Sequence, residues 1–360
     1  MVSIGVLTET EPGERRVALS PDAARRLSER GQRVLVQAGA GRLSFFDDDA
    51  YAGAEVVDRA RVYADSDVLL CVHPPGDLAL ARPEQLLIGM LGTDPGASGG
   101  RTEISLDLLP RTLSRAQAMD ALTSQANVAG YKAALLAAEA FPGFFPLLMT
   151  AAGTTRPAQV LVLGAGVAGL QAIATARRLG ARVTGYDVRE AARADIASTG
   201  AAVLDIGTPA TTSADGYARG LGADEAAAQL RGLTEAIPRY DVVITTAQVP
   251  GRPAPRLVTA DALARMRPGS VVLDLAAAAD GGNVAGSVPD TRSVTGNDVT
   301  VIGAGNLAAT VPSAASTAYA RNMLAVLTHL IPDGEIVLDT DDEITRAVLL
   351  NRADRAEARS

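Results

Sequence analysis

Gln159-Val-Leu-Val-Leu163, then Gly164-Ala165-Gly166-Val167-Ala-Gly169, then a run to Gly180, then Arg182-Val-Thr-Gly-Tyr-Asp187 make up the stretch from which the fold is read. An apolar run of strand length feeds a glycine-rich turn. The turn opens a predicted helix with apolar residues at Leu170, Ile173, Ala174 and Leu179. A second strand-like run ends in Asp187, 23 positions after Gly164. Strand, G-x-G-x-x-G, helix, strand and acid in one unit of about 30 residues form a dinucleotide-binding arrangement. Gly164 allows the tight turn, Gly166 lets a pyrophosphate approach the backbone, and Gly169 lets the helix pack close to the sheet. The helix N-terminus offers unpaired N–H groups and partial positive charge to the phosphates. Asp187 stands where an acid takes the ribose hydroxyls and repels a 2′-phosphate, which favours NAD(H). Val188 and Arg189 follow it, and Arg189 pulls the other way.

The 360 residues suggest two domains. Nearly half the chain is apolar with no Trp and few aromatics, so the core is aliphatic. The net charge of −8 and the lack of a Lys/Arg cluster give no sign of a nucleic-acid or anionic-membrane partner. The single cysteine, Cys71 in Val68-Leu-Leu-Cys-Val72, reads as a buried core thiol. No disulfide framework or Cys/His metal pattern follows, so no metal is expected. The start lacks the form of a signal peptide, and no apolar run is long enough to span a bilayer, so the chain reads as cytoplasmic.

Outward from the centre, strands are predicted at 2–7, Arg33–Gln37, Val68–Val72 and Leu86–Met90, with a helix opened by Ser20 and Pro21. These alternate with helices and imply a parallel sheet, so the first ~120 residues form an α/β unit without a glycine fingerprint. A helix running to about Ala140 crosses to the second unit. There, strands at Asp241–Thr246, Ser270–Leu275 and Val299–Ile302 end in loops that hold Thr246, Ala247, Leu275 and Gly303. Ligands sit at the carboxyl ends of such strands, so these are cofactor positions. Ser213–Gly222 reads as a mobile surface loop. Ser316–Ile331 reads as a long helix packed back on the first unit. The fold expected is α/β, with two Rossmann-like doubly wound parallel-sheet domains and a cleft between them. The outer domain spans 1–123 plus 312–360, and the NAD(H)-binding domain spans 124–311.

Arg115-Ala-Gln117-Ala-Met-Asp120-Ala-Leu-Thr-Ser-Gln125-Ala-Asn127, taken with Gly164–Asp187, Thr246–Pro255 and Pro12-Gly-Glu-Arg15-Arg16-Val-Ala-Leu, closely resembles the NAD(H)-binding component (domain I) of proton-translocating NAD(P) transhydrogenase. Alanine dehydrogenase is the related family. The match runs from about residue 3 to about 331. The resemblance implies that NAD(H) passes a hydride directly to NADP⁺ on a separately encoded NADP(H)-binding domain. A membrane subunit would couple that step to proton movement. It also implies a homodimer, peripheral to the inner face of the membrane. Arg111, Gln117 and Asp120 should line the nicotinamide pocket, with Gln117 nearest the ring and Thr123 and Asn127 beside them. Tyr217 should lie on the loop that closes over the nucleotide. Such a transfer needs two rings held face to face and shielded from water, not a side-chain acid or base.

The alternative is a stand-alone NAD-dependent amino-acid or keto-acid dehydrogenase of the alanine dehydrogenase type, or a repurposed member of the group. That chemistry needs an acid/base group and a cation for the carboxylate. Arg15 and His73 are its candidates. Amino-acid-acting relatives use a histidine near Gly89–Pro95, and none stands there. Thr8 and Cys71 replace lysines common in relatives, and Ala276–Asp280 lacks a usual glutamate before Gly281-Gly-Asn283. The segment 92–108 is shorter than usual. A third class is a non-catalytic NAD(H)-sensing or scaffold protein.

Overall fold

The computed structural model describes residues 1–94, 101–207, 222–248 and 253–350. The chain divides into two compact units, Met1–Gln125 with Ala308–Ser360, and Ala126–Leu307.

In the first unit, strands β1 (Ser3–Val6), β2 (Arg33–Gln37), β3 (Glu55–Val57), β4 (Val68–Leu70), β5 (Leu86–Gly89) and β6 (Thr102–Ser105) form one sheet. The order is β3-β2-β1-β4-β5-β6 and every pairing is parallel. This is the doubly wound order that reverses direction at its first strand. β1, β4 and β5 are buried along their whole length, as strands covered on both faces must be. Helix α1 (Pro21–Glu29) starts as its sequence dictates. The Ser20 hydroxyl accepts from the Ala23 N–H, and Pro21 takes the first turn, where no N–H is needed. α2 (Arg59–Asp65) is capped in the same way by Asp58.

Helix α3 (Ala121–Ala140) carries the chain out of this unit. After the second unit, the chain returns as α8 (Pro312–Leu330), four residues earlier than the sequence pattern indicates. Pro312 is the reason, because a proline at the first helical position is pre-set for the helix. α8 contributes Tyr319, Met323, Val326 and Leu327 to the core around β1 and β4. Its Tyr319 hydroxyl donates to the Cys71 carbonyl (2.8 Å), and Ser316 Oγ accepts from the Val17 N–H (3.0 Å).

The end of the described chain adds what the sequence reading leaves out. α9 (Glu343–Val348) is capped by Asp342 and buries Ile344 and Val348. Leu349 bridges Ile104, and the Leu350 N–H donates to the Glu103 carbonyl. The outer edge of β6 is thereby partly covered, so those backbone groups are not left open to pairing with another chain.

After the end of α3 the second unit forms an antiparallel hairpin, β7 (Leu148–Thr150) and β8 (Gly153–Thr155), which belongs to neither large sheet. Its main sheet holds β9 (Gln159–Leu163), β10 (Arg182–Tyr186), β11 (Ala202–Val203), β12 (Val242–Thr245), β13 (Val271–Asp274), β14 (Thr291–Val294) and β15 (Thr300–Gly303). The order is β11-β10-β9-β12-β13-β15-β14, and only β14 runs antiparallel, at the edge. Among the described residues its helices are the part of α3 beyond Gln125, α4 (Val167–Arg178), α5 (Glu190–Ser198), α6 (Ala223–Ala236) and α7 (Ala260–Ala264). Aliphatic clusters fill both faces of this sheet.

Candidate functional site

β9 lies between β10 and β12, so its carboxyl end is the point where the strand order turns back. Gly164 stands there with φ +97°, a conformation that L side chains rarely adopt. A Cβ on Gly169 would lie 1.9 Å from the Gly164 carbonyl oxygen, so α4 is pressed against the turn. A Cβ on Gly166 would meet no protein atom within 4 Å. The three glycines thus have three different surroundings: a left-handed turn, an open face and a close helix contact. Ala165 is buried and Val167 is partly exposed at the first turn of α4. Gly166 caps that helix without any side-chain hydrogen bond, so its first N–H groups have no partner from a capping side chain.

Asp187 follows β10 and is brought to this turn. Its Oδ2 accepts from the Ala165 N–H (2.8 Å) and from Arg189 Nη2 (2.9 Å). Its Oδ1 accepts from the Arg189 N–H (2.9 Å) and Arg189 Nε (3.0 Å). Burial acts to raise the carboxyl pKa, but Arg189 and the two backbone donors outweigh it and hold the group below its ordinary range. Val188, between them, is partly buried against the cluster around Leu161 and Val243.

Thr246, just past β12, donates its hydroxyl to the Gly164 carbonyl (3.0 Å) and so ties the next strand to the glycine turn. Ala247 is held by a residue whose role the sequence pattern did not disclose. The buried Asn283 accepts from the Ala247 N–H (3.0 Å) and donates to the Ala247 and Pro255 carbonyls (2.9 and 2.7 Å). Its signal was the Gly281-Gly282-Asn283 triplet. The Ala276–Asp280 segment runs into a tight turn in which Ala278 and Gly281 exchange backbone hydrogen bonds. Leu275 is half-buried and its N–H donates to the Thr245 carbonyl. Gly303 ends β15, with the Val288 carbonyl 2.0 Å from where its Cβ would stand. Asn127 is exposed, and its Nδ2 donates to Gln171 Oε1 (3.2 Å). Tyr217 lies outside the described residues.

In the first unit, Gln117 is exposed on the tight helical stretch Ser114–Met119, and Arg111 is half-buried before it. Asp120 caps α3, accepting from the Thr123 N–H (2.9 Å) and the Thr123 hydroxyl (2.6 Å). Its carboxylate therefore has a structural task whether or not it also meets a ligand.

At the carboxyl ends of β1 and β4 lies a charged cluster of which the sequence pattern flagged only some members. Arg15 is half-buried with its guanidinium over the exposed Phe45 ring, at 5.8 Å. The buried arginine is Arg16. It donates from Nε and Nη2 to Glu14 (2.8 and 2.6 Å) and from Nη1 to Gln125 (2.8 Å). His73 Nε2 lies 3.1 Å from Arg16 Nη2 and 3.2 Å from Glu14 Oε2. Glu9 accepts from the backbone N–H groups of Val72 and His73 (2.6 and 3.0 Å). Burial is the largest influence on all three titrating groups. It pushes Glu9 up to about 7, above what its backbone bonds restore. In Glu14 the bonds to Arg16 and His73 overcome it and hold the carboxyl far below its ordinary value. In His73 the bond to Glu14 overcomes it and leaves the imidazole above its ordinary value. Cys71, next to this cluster, is fully buried and its thiol is pushed well up by that burial.

Comparison with known proteins matches two family descriptions to this chain. "Alanine dehydrogenase/PNT, N-terminal domain" fits residues 5–129, and "Alanine dehydrogenase/PNT, C-terminal domain" fits residues 133–356. The chain is 38% identical to an NAD(P) transhydrogenase alpha-subunit polypeptide of Rhodospirillum rubrum, over 98% of this chain and 96% of that protein. It is 32% identical to alanine dehydrogenase of Mycobacterium tuberculosis (strain ATCC 25618 / H37Rv), over 92% of this chain and 88% of that protein. The crystal structure of transhydrogenase from Sinorhizobium meliloti superposes with a TM-score of 0.86 at 38% identity, covering 97% of this chain and 98% of that one. The transhydrogenase likeness is thus the stronger of the two in sequence and nearly complete in extent.

Proposed function

This chain belongs to the alanine dehydrogenase/PNT family, and we propose that within it the protein is the NAD(H)-holding component of an NAD(P) transhydrogenase. NADH lies with its pyrophosphate over Gly164–Gly169 and its adenosine ribose at Asp187. Its hydride passes directly to NADP⁺ on a separately encoded partner, and a membrane subunit couples the step to proton translocation. Thr246, Ala247, Leu275 and Gly303 line the nucleotide path. Arg111, Gln117, Asp120, Thr123, Asn127 and Tyr217 belong to the nicotinamide end. The observation that carries this reading is the open face of Gly166 beside a buried, ionised Asp187. A pyrophosphate needs the first and a ribose diol is held by the second.

Hydride transfer between two nicotinamides requires no proton to be moved at the ring carbon. The residues need only hold the ring, orient its carboxamide and exclude water. Gln117 suits that task, as an amide that can both donate and accept. The protein works as a homodimer and sits peripherally on the inner face of the membrane.

The test uses the purified chain. NADH should bind in the micromolar range and NADPH more weakly, with no transhydrogenation until an NADP(H)-binding domain is added. Turnover of alanine or pyruvate by the chain alone would overturn the assignment in favour of the amino-acid dehydrogenase. In that reading Arg16, rather than Arg15, is the buried cation beside His73. Gln117→Asn should slow hydride transfer far more than it weakens NADH. Equal loss of both would make Gln117 a binding group only.

A further inference from the structure

The Asp187 carboxylate is already saturated. A carboxylate offers about four lone-pair positions, and all four are filled from within the protein. Ala165 N and Arg189 Nη2 occupy Oδ2, and Arg189 N and Nε occupy Oδ1. Two of these donors are backbone N–H groups fixed by the glycine turn and by the start of α5. The other two belong to one guanidinium, whose side chain keeps 24% of its surface exposed. A ribose diol that is to reach Asp187 must displace that guanidinium, because the backbone donors cannot leave without unmaking the turn.

Resting on the NAD(H) reading above, we propose that Arg189 and Asp187 form one selectivity pair, in which Arg189 sets how strongly NADH is preferred over NADPH. While paired, the guanidinium offsets the carboxylate's charge and weakens its repulsion of a 2′-phosphate. Once displaced, Arg189 is a planar fork beside the 2′-position, the group that best holds a phosphate. The acid alone would exclude NADPH by charge, and Arg189 returns some of that exclusion. Removing the arginine and neutralising the acid should therefore move selectivity in opposite directions.

Calorimetric titration of the full chain with NADH and with NADPH tests this, using wild type, Arg189→Ala and Asp187→Asn. In Arg189→Ala the ratio Kd(NADPH)/Kd(NADH) should rise about tenfold, the effect of one charge-assisted contact. In Asp187→Asn it should fall by about as much. If the ratio in Arg189→Ala stays within about twofold of wild type, or both nucleotides weaken equally, the proposal is wrong and Arg189 only shapes the turn. Arg189→Lys keeps the charge without the fork and should give an intermediate ratio. It serves as the test if the alanine variant melts early, and a ratio unchanged from wild type would then overturn the proposal. A wild-type chain that binds neither nucleotide would end the NAD(H) reading and this pair with it.

Discussion

The two units share a strand order and differ at its mouth. In the second unit β9 runs into Gly164 and Gly166, and the carboxyl end of the strand is open. In the first unit β1 runs into Leu7-Thr8-Glu9, and the Glu9 carboxylate takes the N–H groups of Val72 and His73 past β4. Where one sheet leaves its turn donors without a capping side chain, the other covers them with a carboxyl of its own. The fold is the same platform twice. What each does is decided by the few residues that leave the sheet at the switch point.

The comparison breaks most easily at the filled mouth. Arg16→Met takes the guanidinium from the buried Glu14, whose side chain has no exposed surface, and leaves it His73 and backbone N–H groups. Removing one partner of a buried ion pair costs about 3–5 kcal/mol, an upper bound here because His73 stays within reach of Glu14. Urea unfolding should show that loss, and a loss under about 1 kcal/mol would mean the cluster is wetter than its geometry. The next effect belongs to the open mouth. Gly166→Ala finds free space and an ordinary φ of −77°, so stability should hold within about 0.5 kcal/mol. NADH affinity should nevertheless drop roughly 100-fold, about 2.7 kcal/mol, because in the proposed binding mode the methyl group would stand in the way of the pyrophosphate. Unchanged affinity would move the nucleotide elsewhere.

A smaller effect concerns the floor of the open site. Asn283→Ala leaves Ala247 and Pro255 without their three hydrogen bonds. The expected cost is about 2 kcal/mol in thermal or urea unfolding, with a modest loss of NADH affinity. The smallest effect is a pH slope. Glu9 is raised from its usual 4.5 to about 7 in the folded chain. Between those values the folded state keeps a proton that the unfolded state has released. The Glu9 contribution therefore falls as pH rises through that window and is flat above it, where the raised His73 continues the fall. Glu14, depressed, acts in the opposite sense only below its usual value. Glu9→Gln should flatten the urea midpoint between about pH 5 and 7.5 by at most about 2 kcal/mol, solvent screening included. A variant with the wild-type slope would place the titration in another group.

Much of this was legible in the chain. The glycine turn, α4 and the Ser20 cap each have a local cause: a missing Cβ, a periodic apolar face, a hydroxyl before a proline. Residues whose meaning comes from distant neighbours were not legible. β6 carries a buried Glu103 at a position that reads as solvated, and the chain from β5 to it holds no apolar run. β3 buries only one of its three residues, and β14 buries none. α9 hides behind the acidic run Asp339–Glu343, because its cap is one of those acids. Arg15 and Arg16 are identical in type and adjacent, and only packing tells which faces His73. The residues proposed for the nicotinamide end were read from a family pattern. That pattern cannot say that Asp120 also caps a helix.

The return of α8 to the first unit has a consequence for the order of events at the ribosome. Residues 1–125 emerge before the second unit, yet their core lacks Tyr319, Met323, Val326, Leu327 and Ile344 until that whole unit has been made. The second unit is a continuous insert, with all its strands in hand by residue 303. It can close while the earlier half still waits with apolar surface uncovered, so the interval between those two moments is when this protein most needs a chaperone.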